Sequence, residues 1–437
     1  MIPFAKIPLA FPFDGIPLFC QLLLMVAFAV IVGICGWTAG LFVRGQRAIA
    51  RPPEASERDD DAWTWVFLVA ALNEEITIAD SVERLLALKL AHRKVIVIDD
   101  GSNDMTPEIL STFAHPDLMV LRRDLPNARK GKAQALNAAY QRIGGLLPRT
   151  DREKVIVVVV DADGRIAPSA PRFAASHFAD PEVGGVQALV RIYNRSGFLT
   201  RMQDVEFSVY GSVYQSGRNR VGTAGMGGNG QFNRLSALDD IVEGDGPWRD
   251  RLTEDQDLGL RLIGAGWRSR QEMRAVVEQQ GVPRVRALLR QRTRWSQGNL
   301  QAMDLIPATW RAPFPLRARA AEVLYLLMPV WQSIIGAALV CAVVLAVTGQ
   351  AGIDPAAETL PVVYLLGFSN AVLGCLGSRH ASGWRSWLRA IGIAHLYALY
   401  TWLLFPALLR ALARQLGTRR DWARTDREPL ESAPGAS

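Results

Sequence analysis

Between residues 44 and 322 the chain has no cysteine; Cys20, Cys35, Cys341 and Cys375 all lie in stretches that also lack charge. A disulfide framework or a cysteine-ligated zinc site in the middle region is thereby excluded. The cysteines read instead as small apolar residues of helices in lipid. The stretches 15–43, 323–353, 359–378 and 390–409 contain no Asp, Glu, Lys or Arg. A bilayer core calls for about 20 apolar residues in a helix. Four such runs exclude an ordinary soluble protein, a disordered chain and a collagen-like one. There is no internal repeat. No G-x-x-x-x-G-K-[ST] occurs and no G-x-G-x-x-G opens the helix after Arg129-Lys130-Gly131-Lys132, so that helix start is neither a P-loop nor a Rossmann fingerprint. Only Lys6 supplies basic charge before the first run, and that run is far longer than a signal-peptide core of about 7–15 residues. It reads as an uncleaved anchor.

What is present is basic. The 437 residues carry a formal net charge of +7 and a pI near 9.4. Many arginines flank the uncharged runs: Arg44, Arg47 and Arg51 after the first, Arg311, Arg317 and Arg319 before the second, and more beyond Arg410. That placement suits anionic headgroups and a cytoplasmic flank, so a membrane is expected as a partner and nucleic acid is not. A transporter would tend to carry buried charges in its helices; apart from tyrosines, only His395 interrupts these runs as an ionisable group. Four regions follow: an anchor and linker over 1–61, a cytoplasmic block over 62–312, a second membrane region over 313–412 and a basic polar tail over 413–437. Membrane helices are expected near 17–43, 322–348, 360–377 and 388–410.

The middle block alternates strands and helices. Trp65–Ala71, Lys94–Ile98, Met119–Leu121 and Lys154–Val160 read as strands, with helices over Glu75–Lys89 and Lys132–Ile143. The Lys154–Val160 run is apolar on both faces, as a central parallel strand should be. The expected fold class is α/β, a sheet with crossover helices. Ligands bind such sheets at the carboxyl ends of the strands.

Those ends carry Asn73-Glu74-Glu75, Asp99-Asp100-Gly101 and Asp161-Ala162-Asp163. Asp-Gly is also a common turn signal, and Ser102 or Asp104 would serve equally to cap a helix near Thr106. The Asp-x-Asp is more specific. Two carboxylates at the end of a buried strand repel unless a cation lies between them. Mg2+ or Mn2+ fits, held by one or two carboxylates together with substrate phosphates. The substrate class is then a nucleotide. Arg129-Lys130-Gly131-Lys132 opens a helix whose N-terminus and lysines favour a diphosphate. The glycine-rich 227–232 segment would let backbone approach a ligand. Thr253-Glu254-Asp255 reads as a helix start. Gln291-Arg292-Thr293-Arg294-Trp295 reads as part of an interfacial helix, in which Arg294 offers a bidentate grip on a diphosphate and Trp295 a flat face for a sugar ring.

Taken in this order, Asp100, Asp161-Ala162-Asp163, Thr253-Glu254-Asp255 and the QxxRW of Gln291–Trp295, with hydrophobic segments after them, resemble the processive family 2 glycosyltransferases of bacterial membranes. Cellulose, hyaluronan, chitin-oligosaccharide and poly-N-acetylglucosamine synthases belong to that group. The resemblance covers about 62–312 by motif. It implies a GT-A-type nucleotide-sugar-binding sheet embedded between transmembrane helices. It further implies that Asp100, Asp161, Lys132, Gln291 and Arg294, with Asn73 and Glu74, bind the nucleotide sugar. Asp163, with Asp161, would hold the metal, and Asp255 would be the general base. Trp295, with Glu254, Gly228, Asn229 and Gln231, would face the acceptor. One base and no second nucleophilic carboxylate imply single displacement with inversion, by analogy with glycosidases.

The expected activity is metal-dependent transfer from a UDP-sugar, UDP-glucose or UDP-N-acetylglucosamine, to a growing β-linked exopolysaccharide that the enzyme helps extrude. An accessory membrane subunit is a possible partner. The alternative is addition of one sugar to a membrane lipid. The catalytic block is expected on the cytoplasmic side of a multi-pass protein in the cell membrane. Two departures stand out: fewer hydrophobic segments than cellulose synthase, and no PilZ-type domain after the last of them. The Gly227–Phe232 segment also differs from the form expected of poly-N-acetylglucosamine synthases. Three full crossings after the block would put the basic tail outside, against the charge rule.

Overall fold

The computed structural model describes residues 16–55, 59–350, 360–379 and 383–417. The Pro-rich start, the linker at 56–58 and the tail arginines beyond 417 lie outside the described residues.

The block between the first and second hydrophobic runs is built on one sheet. Its strands are β1 (Thr64–Ala71), β2 (Arg93–Asp99), β3 (Leu118–Arg122), β4 (Val155–Asp161), β5 (Arg165–Ile166), β6 (Val183–Ile192), β7 (Gln231–Arg234) and β8 (Arg268–Gln279). They lie in the order β3-β2-β1-β4-β7-β6-β8-β5. β3, β2, β1 and β4 run parallel, whereas β7 is antiparallel to both β4 and β6. The β-branched residues of β1, β2 and β4 suit a strand covered on both faces. One face packs Phe67, Val69, Val158 and Val160 with Ile78, Val82 and Leu85 of the helix Ile78–Ala87. The other packs Val66, Leu68, Val157 and Val159 with Ala135, Leu136 and Ala139 of the helix Lys132–Leu146. Each such side chain, fully buried, contributes about 1.5–3 kcal/mol. Register then levels the carboxyl ends: Ala71 pairs with Asp99 and Ala70 with Asp161.

The first four strands and both helices lie where the hydrophobic pattern places them, within a few residues at their ends. The strands β5, β6, β7 and β8 have no counterpart in that reading.

Among the described residues, three helices are long and apolar enough to cross a membrane: Leu18–Ala50, Met328–Val347 and Trp384–Leu416. The remaining expected span is the 20-residue helix Leu360–Arg379, within which Tyr364–Ser378 is apolar. The first helix continues past the expected end at 43, because Arg44 and Arg47 are good helix formers. The last span has a break in it, the helix Trp384–Leu403 giving way to Phe405–Leu416 with Pro406 near the join.

The two halves are packed together. Met202, Val205 and Val209 of the helix Phe198–Val209 share a core with Ala371, Cys375, Ala390, Ala394 and Ala398. The first helix docks on the segment 210–218 through glycines. A Cβ on Gly45 would lie 2.5 Å from the Ser212 carbonyl oxygen, and one on Gly217 would lie 2.6 Å from that of Leu41.

Candidate active site

A cavity of about 530 Å³ opens at the carboxyl ends of β1, β2 and β4. Glu74, Asp100, Lys132, Asp161, Asp163, Gly228 and Asn229 line its sheet side, and Glu254, Asp255, Gln291, Arg294 and Trp295 line its helical side. These are most of the residues singled out in the sequence. Two others lie elsewhere. Asn73, at φ +56°, clasps the neighbouring loop through Asn103, accepting from its backbone N–H at 2.9 Å and donating to its side chain at 2.8 Å. Gln231 is buried inside β7, where its Oε1 accepts from Asn233 at 3.1 Å.

Asp100 is almost wholly buried at the end of β2. Its carboxylate accepts from Arg123 at 2.5 Å and from the Arg129 backbone N–H at 3.1 Å. Burial nevertheless raises its pKa, outweighing the Arg123 charge. Asp104 accepts from the Thr106 N–H at 3.0 Å at the start of the next helix, the capping role open to it in the sequence. Ser102 instead accepts from the Asn73 N–H at 2.8 Å.

Lys132 begins its helix after Gly131, whose φ of +110° is open to glycine. Its ammonium donates to Asp161 at 2.5 Å and to the Gly228 carbonyl at 2.9 Å, and lies 3.8 Å from Glu254. Burial opposes that charge, but Asp161 and Glu254 outweigh it and hold the pKa above the ordinary value. Asn229 fixes the same corner: it accepts from the Asp161 N–H at 3.1 Å and donates to Gln279 at 3.0 Å. Asp163 accepts from the Gln280 N–H at 3.0 Å.

Glu254 and Asp255 open the helix Glu254–Gly264. Burial and the adjoining Asp255 charge raise Glu254 to about 7, against Lys132 and Arg294. Burial also raises Asp255. Gln291, Arg294 and Trp295 are spaced by three and four residues on the helix Val285–Gln301, and so share one face. That helix comes close because of Gly298, where a Cβ would lie 2.4 Å from Thr253.

Among the described residues no three His, Cys, Asp or Glu side chains converge as a metal cluster. Asp161 and Asp163 nevertheless both face the cavity. Magnesium-like ions commonly take one or two carboxylates and complete their shell with phosphate oxygens and water. The donor set fits an ion shared with a nucleotide diphosphate.

The far end of the cavity was not foreseen in the sequence. Glu206, Tyr210, Tyr214, Arg218, Glu322, Tyr325 and Tyr397 line it. Arg218 donates through one nitrogen to both Glu322 oxygens at 2.9 Å, with both side chains 2% exposed. Tyr210 and Tyr325 share a hydroxyl hydrogen bond of 2.7 Å. Glu322 bounded an uncharged run in the sequence, and nothing there paired it with Arg218.

Known proteins place this architecture. The family model for glycosyl transferase family group 2 matches residues 156–412, and that for glycosyl transferase family 2 matches 66–241. A β-monoglucosyldiacylglycerol synthase of Synechocystis sp. is 35% identical over 243 residues, 54% of this chain and 47% of that one. A poly-β-1,6-N-acetyl-D-glucosamine synthase of Staphylococcus aureus is 30% identical over 255 residues, 57% of this chain and 58% of that one. The chain thus spans about half the length of the curated relatives it matches. A mannosyltransferase of Pyrobaculum calidifontis, solved with GDP-Man and Mn2+, has the same fold, with a TM-score of 0.61 at 21% identity over 91% of this chain and 100% of that one. The sheet is a GT-A fold, and the chain belongs to glycosyl transferase family group 2.

Proposed function

We propose that the protein is an inverting hexosyltransferase that moves one sugar from a nucleotide sugar to a hydroxyl of a membrane lipid, at the cytoplasmic face. The observation that carries this reading is the shape of the cavity. It joins the carboxylate and lysine corner at the strand ends to tyrosines beside the helices that lead into the membrane. A lipid alcohol reaching the site from the bilayer would meet the second end, and a soluble nucleotide sugar the first. The similarity to a glucosyldiacylglycerol synthase supports a glycerolipid acceptor.

In this reading Asp100 and Glu74 hold the nucleoside side of the donor, and Asn73 shapes that loop from behind. Lys132, Gln291 and Arg294 hold the diphosphate, which leaves as the new bond forms. Asp255 takes the proton from the acceptor hydroxyl, and that oxygen attacks the anomeric carbon from the face opposite the diphosphate. Glu254, Gly228, Asn229 and Trp295 border the acceptor. Asp161 and Asp163 would hold Mg2+ or Mn2+; when bound, such an ion neutralises charge on the leaving diphosphate. An α-linked donor then gives a β-linked product.

A second reading, processive synthesis of a β-linked polysaccharide, is supported by the poly-β-1,6-N-acetyl-D-glucosamine synthase relative and by Trp295 on the cavity wall. Product size separates the two. The protein in lipid vesicles containing diacylglycerol is supplied with labelled UDP-glucose, UDP-N-acetylglucosamine or GDP-mannose and a divalent metal. A single labelled lipid is expected. A high-molecular-weight polymer would replace the lipid reading with the processive one.

A further inference from the structure

Arg292 sits in the QxxRW segment but does not itself line the cavity; it lies behind Glu206, Phe207 and Trp295, which do. It is 5% exposed and lies in the middle of a set of groups from three separate parts of the chain. Its Nη2 donates to Glu206 at 2.6 Å, and Glu206 also accepts from the Tyr400 hydroxyl at 2.8 Å. Its guanidinium carbon lies 4.0 Å from the centroid of the Trp295 ring and 5.9 Å from that of Phe207. Phe207 meets Trp295 edge-on at 6.2 Å. Among the described residues Nε and Nη1 of Arg292 have no hydrogen-bond acceptor. The aromatic face is therefore a main partner of this buried cation besides Glu206, and its contact with Trp295 is sensitive to where Glu206 holds it.

We infer that Glu206, Arg292 and Tyr400 form a positioning relay that sets the Trp295 ring, so that the last membrane helix, which carries Tyr400, is coupled to the acceptor side of the active site. The chain of contacts is short. Tyr400, on the helix Trp384–Leu403, bonds Glu206 on the helix Phe198–Val209. Glu206 orients the planar guanidinium through a charge-assisted bond. The guanidinium lies against the indole, and the indole lines the cavity. A phenol is an economical member of such a relay: loss of its hydroxyl removes its bond to Glu206 and a longer one, 3.5 Å, that it accepts from Arg292 Nη2, and leaves the packing of the ring in place. Trp295 as the acceptor platform rests on the function proposed above; the position of its ring does not.

The test reads the ring first. The full-length protein in detergent is labelled with 5-fluorotryptophan, and the Trp295 fluorine resonance is assigned by its loss in Trp295→Phe. The resonance is expected to shift or broaden in Tyr400→Phe and in Arg292→Lys, which keeps the charge and loses the planar face. Glu206→Gln should move it further. If that variant fails to fold, the two milder variants still decide. An unmoved resonance in Tyr400→Phe and Arg292→Lys, with both proteins folded, overturns the relay.

Kinetics then read the consequence, with UDP-glucose as donor and diacylglycerol in mixed micelles as acceptor. Tyr400→Phe should raise the acceptor KM about 3–10-fold, the size expected of a weakened cation–π contact, with the donor KM unchanged. In the Trp295→Phe background the same substitution should have no further effect. An equal effect in both backgrounds would show that Tyr400 acts otherwise than through the ring and would overturn the relay. If the unmodified protein glucosylates no lipid, the function proposed above fails, and the resonance still decides the relay.

Discussion

At the scale of single residues the site is a contest between burial and charge. Lys132, Asp161, Glu254 and Asp255 crowd one corner, and three of the four are carboxylates. Burial raises Glu254 to about 7 and raises Asp255 beside it as well, so both carboxyls hold their protons to higher pH than free ones. As pH rises Asp255 loses its proton and the base becomes available. The rate should therefore climb with pH along an acidic limb that lies above the ordinary aspartate range. Glu254→Gln removes the carboxyl that titrates near 7, so the limb should move to lower pH if Glu254 shapes it. A limb that stays in place in kcat/KM profiles would mean that Glu254 has no part in it. Asp255→Asn is a harsher change. It should lower transfer about 10²–10⁴-fold, the usual contribution of a general base, while nucleotide binding measured by calorimetry stays intact. Asp163→Ala should remove stimulation by added manganese together with activity; a variant still stimulated would clear Asp163 of metal binding. Much of this corner was legible from the sequence. Carboxylates at three strand ends and a spaced QxxRW advertise themselves by type and order. Glu206, Tyr400, Arg218 and Glu322 do not, because each takes its meaning from a partner some 100 or more positions away or, for Glu206 and Arg292, 86 positions away.

At the scale of elements, helix spacing decides whether the two walls of the cavity meet. Gly298 lets the helix Val285–Gln301 rest on Thr253, at the start of the helix that carries Glu254 and Asp255. Gly298→Val would force those helices apart at a well-packed contact, at a cost of about 1–3 kcal/mol. A lowered melting temperature and a loss of transfer larger than the loss of fold are expected; wild-type kinetics in a purified Gly298→Val protein would refute this spacing role. Strand legibility follows from the same physics. β1, β2 and β4 are nearly unbroken apolar runs, because both their faces are covered. β7 reads Gln-Phe-Asn-Arg and β8 mixes Arg, Gln and Glu with valines. Their polar side chains are buried and bonded inside the fold: Arg234 donates to the carbonyls of Val183, Glu153 and Phe178, and Glu272 bonds His177 at 2.9 Å. No periodicity of hydrophobic residues could reveal strands whose interior is partly polar.

At the scale of the whole molecule, the soluble and membrane parts share a core and a buried ion pair. Arg218 belongs to the catalytic block, and Glu322 to the helix Leu316–Leu326 that precedes the second span. Breaking such a pair from one side leaves a buried charge without compensation, a loss of about 3–5 kcal/mol. Glu322→Ala should thus lower the melting temperature in detergent markedly, while Arg218→Met with Glu322→Leu should recover much of it. A single variant as stable as the parent would show that the pair adds nothing to the joint between the parts. Overall layout was the most legible feature of all, since uncharged runs of this length have few other uses. The number of crossings was less so, because three crossings after the block set the charge rule against the basic tail.

The glycine-to-glycine seat of the first helix on the segment 210–218 ties two tasks together. That segment contributes Tyr210, Tyr214 and Arg218 to the cavity, and Arg44 of the helix donates to the Gly217 carbonyl at 3.3 Å. The tether is thus also a piece of the wall. A helix in lipid adjusts its tilt to the thickness of the hydrocarbon layer, and here a change of tilt would press directly on the lining of the reaction chamber. Transfer rates measured in vesicles of different acyl-chain length are then expected to differ, with no ligand added.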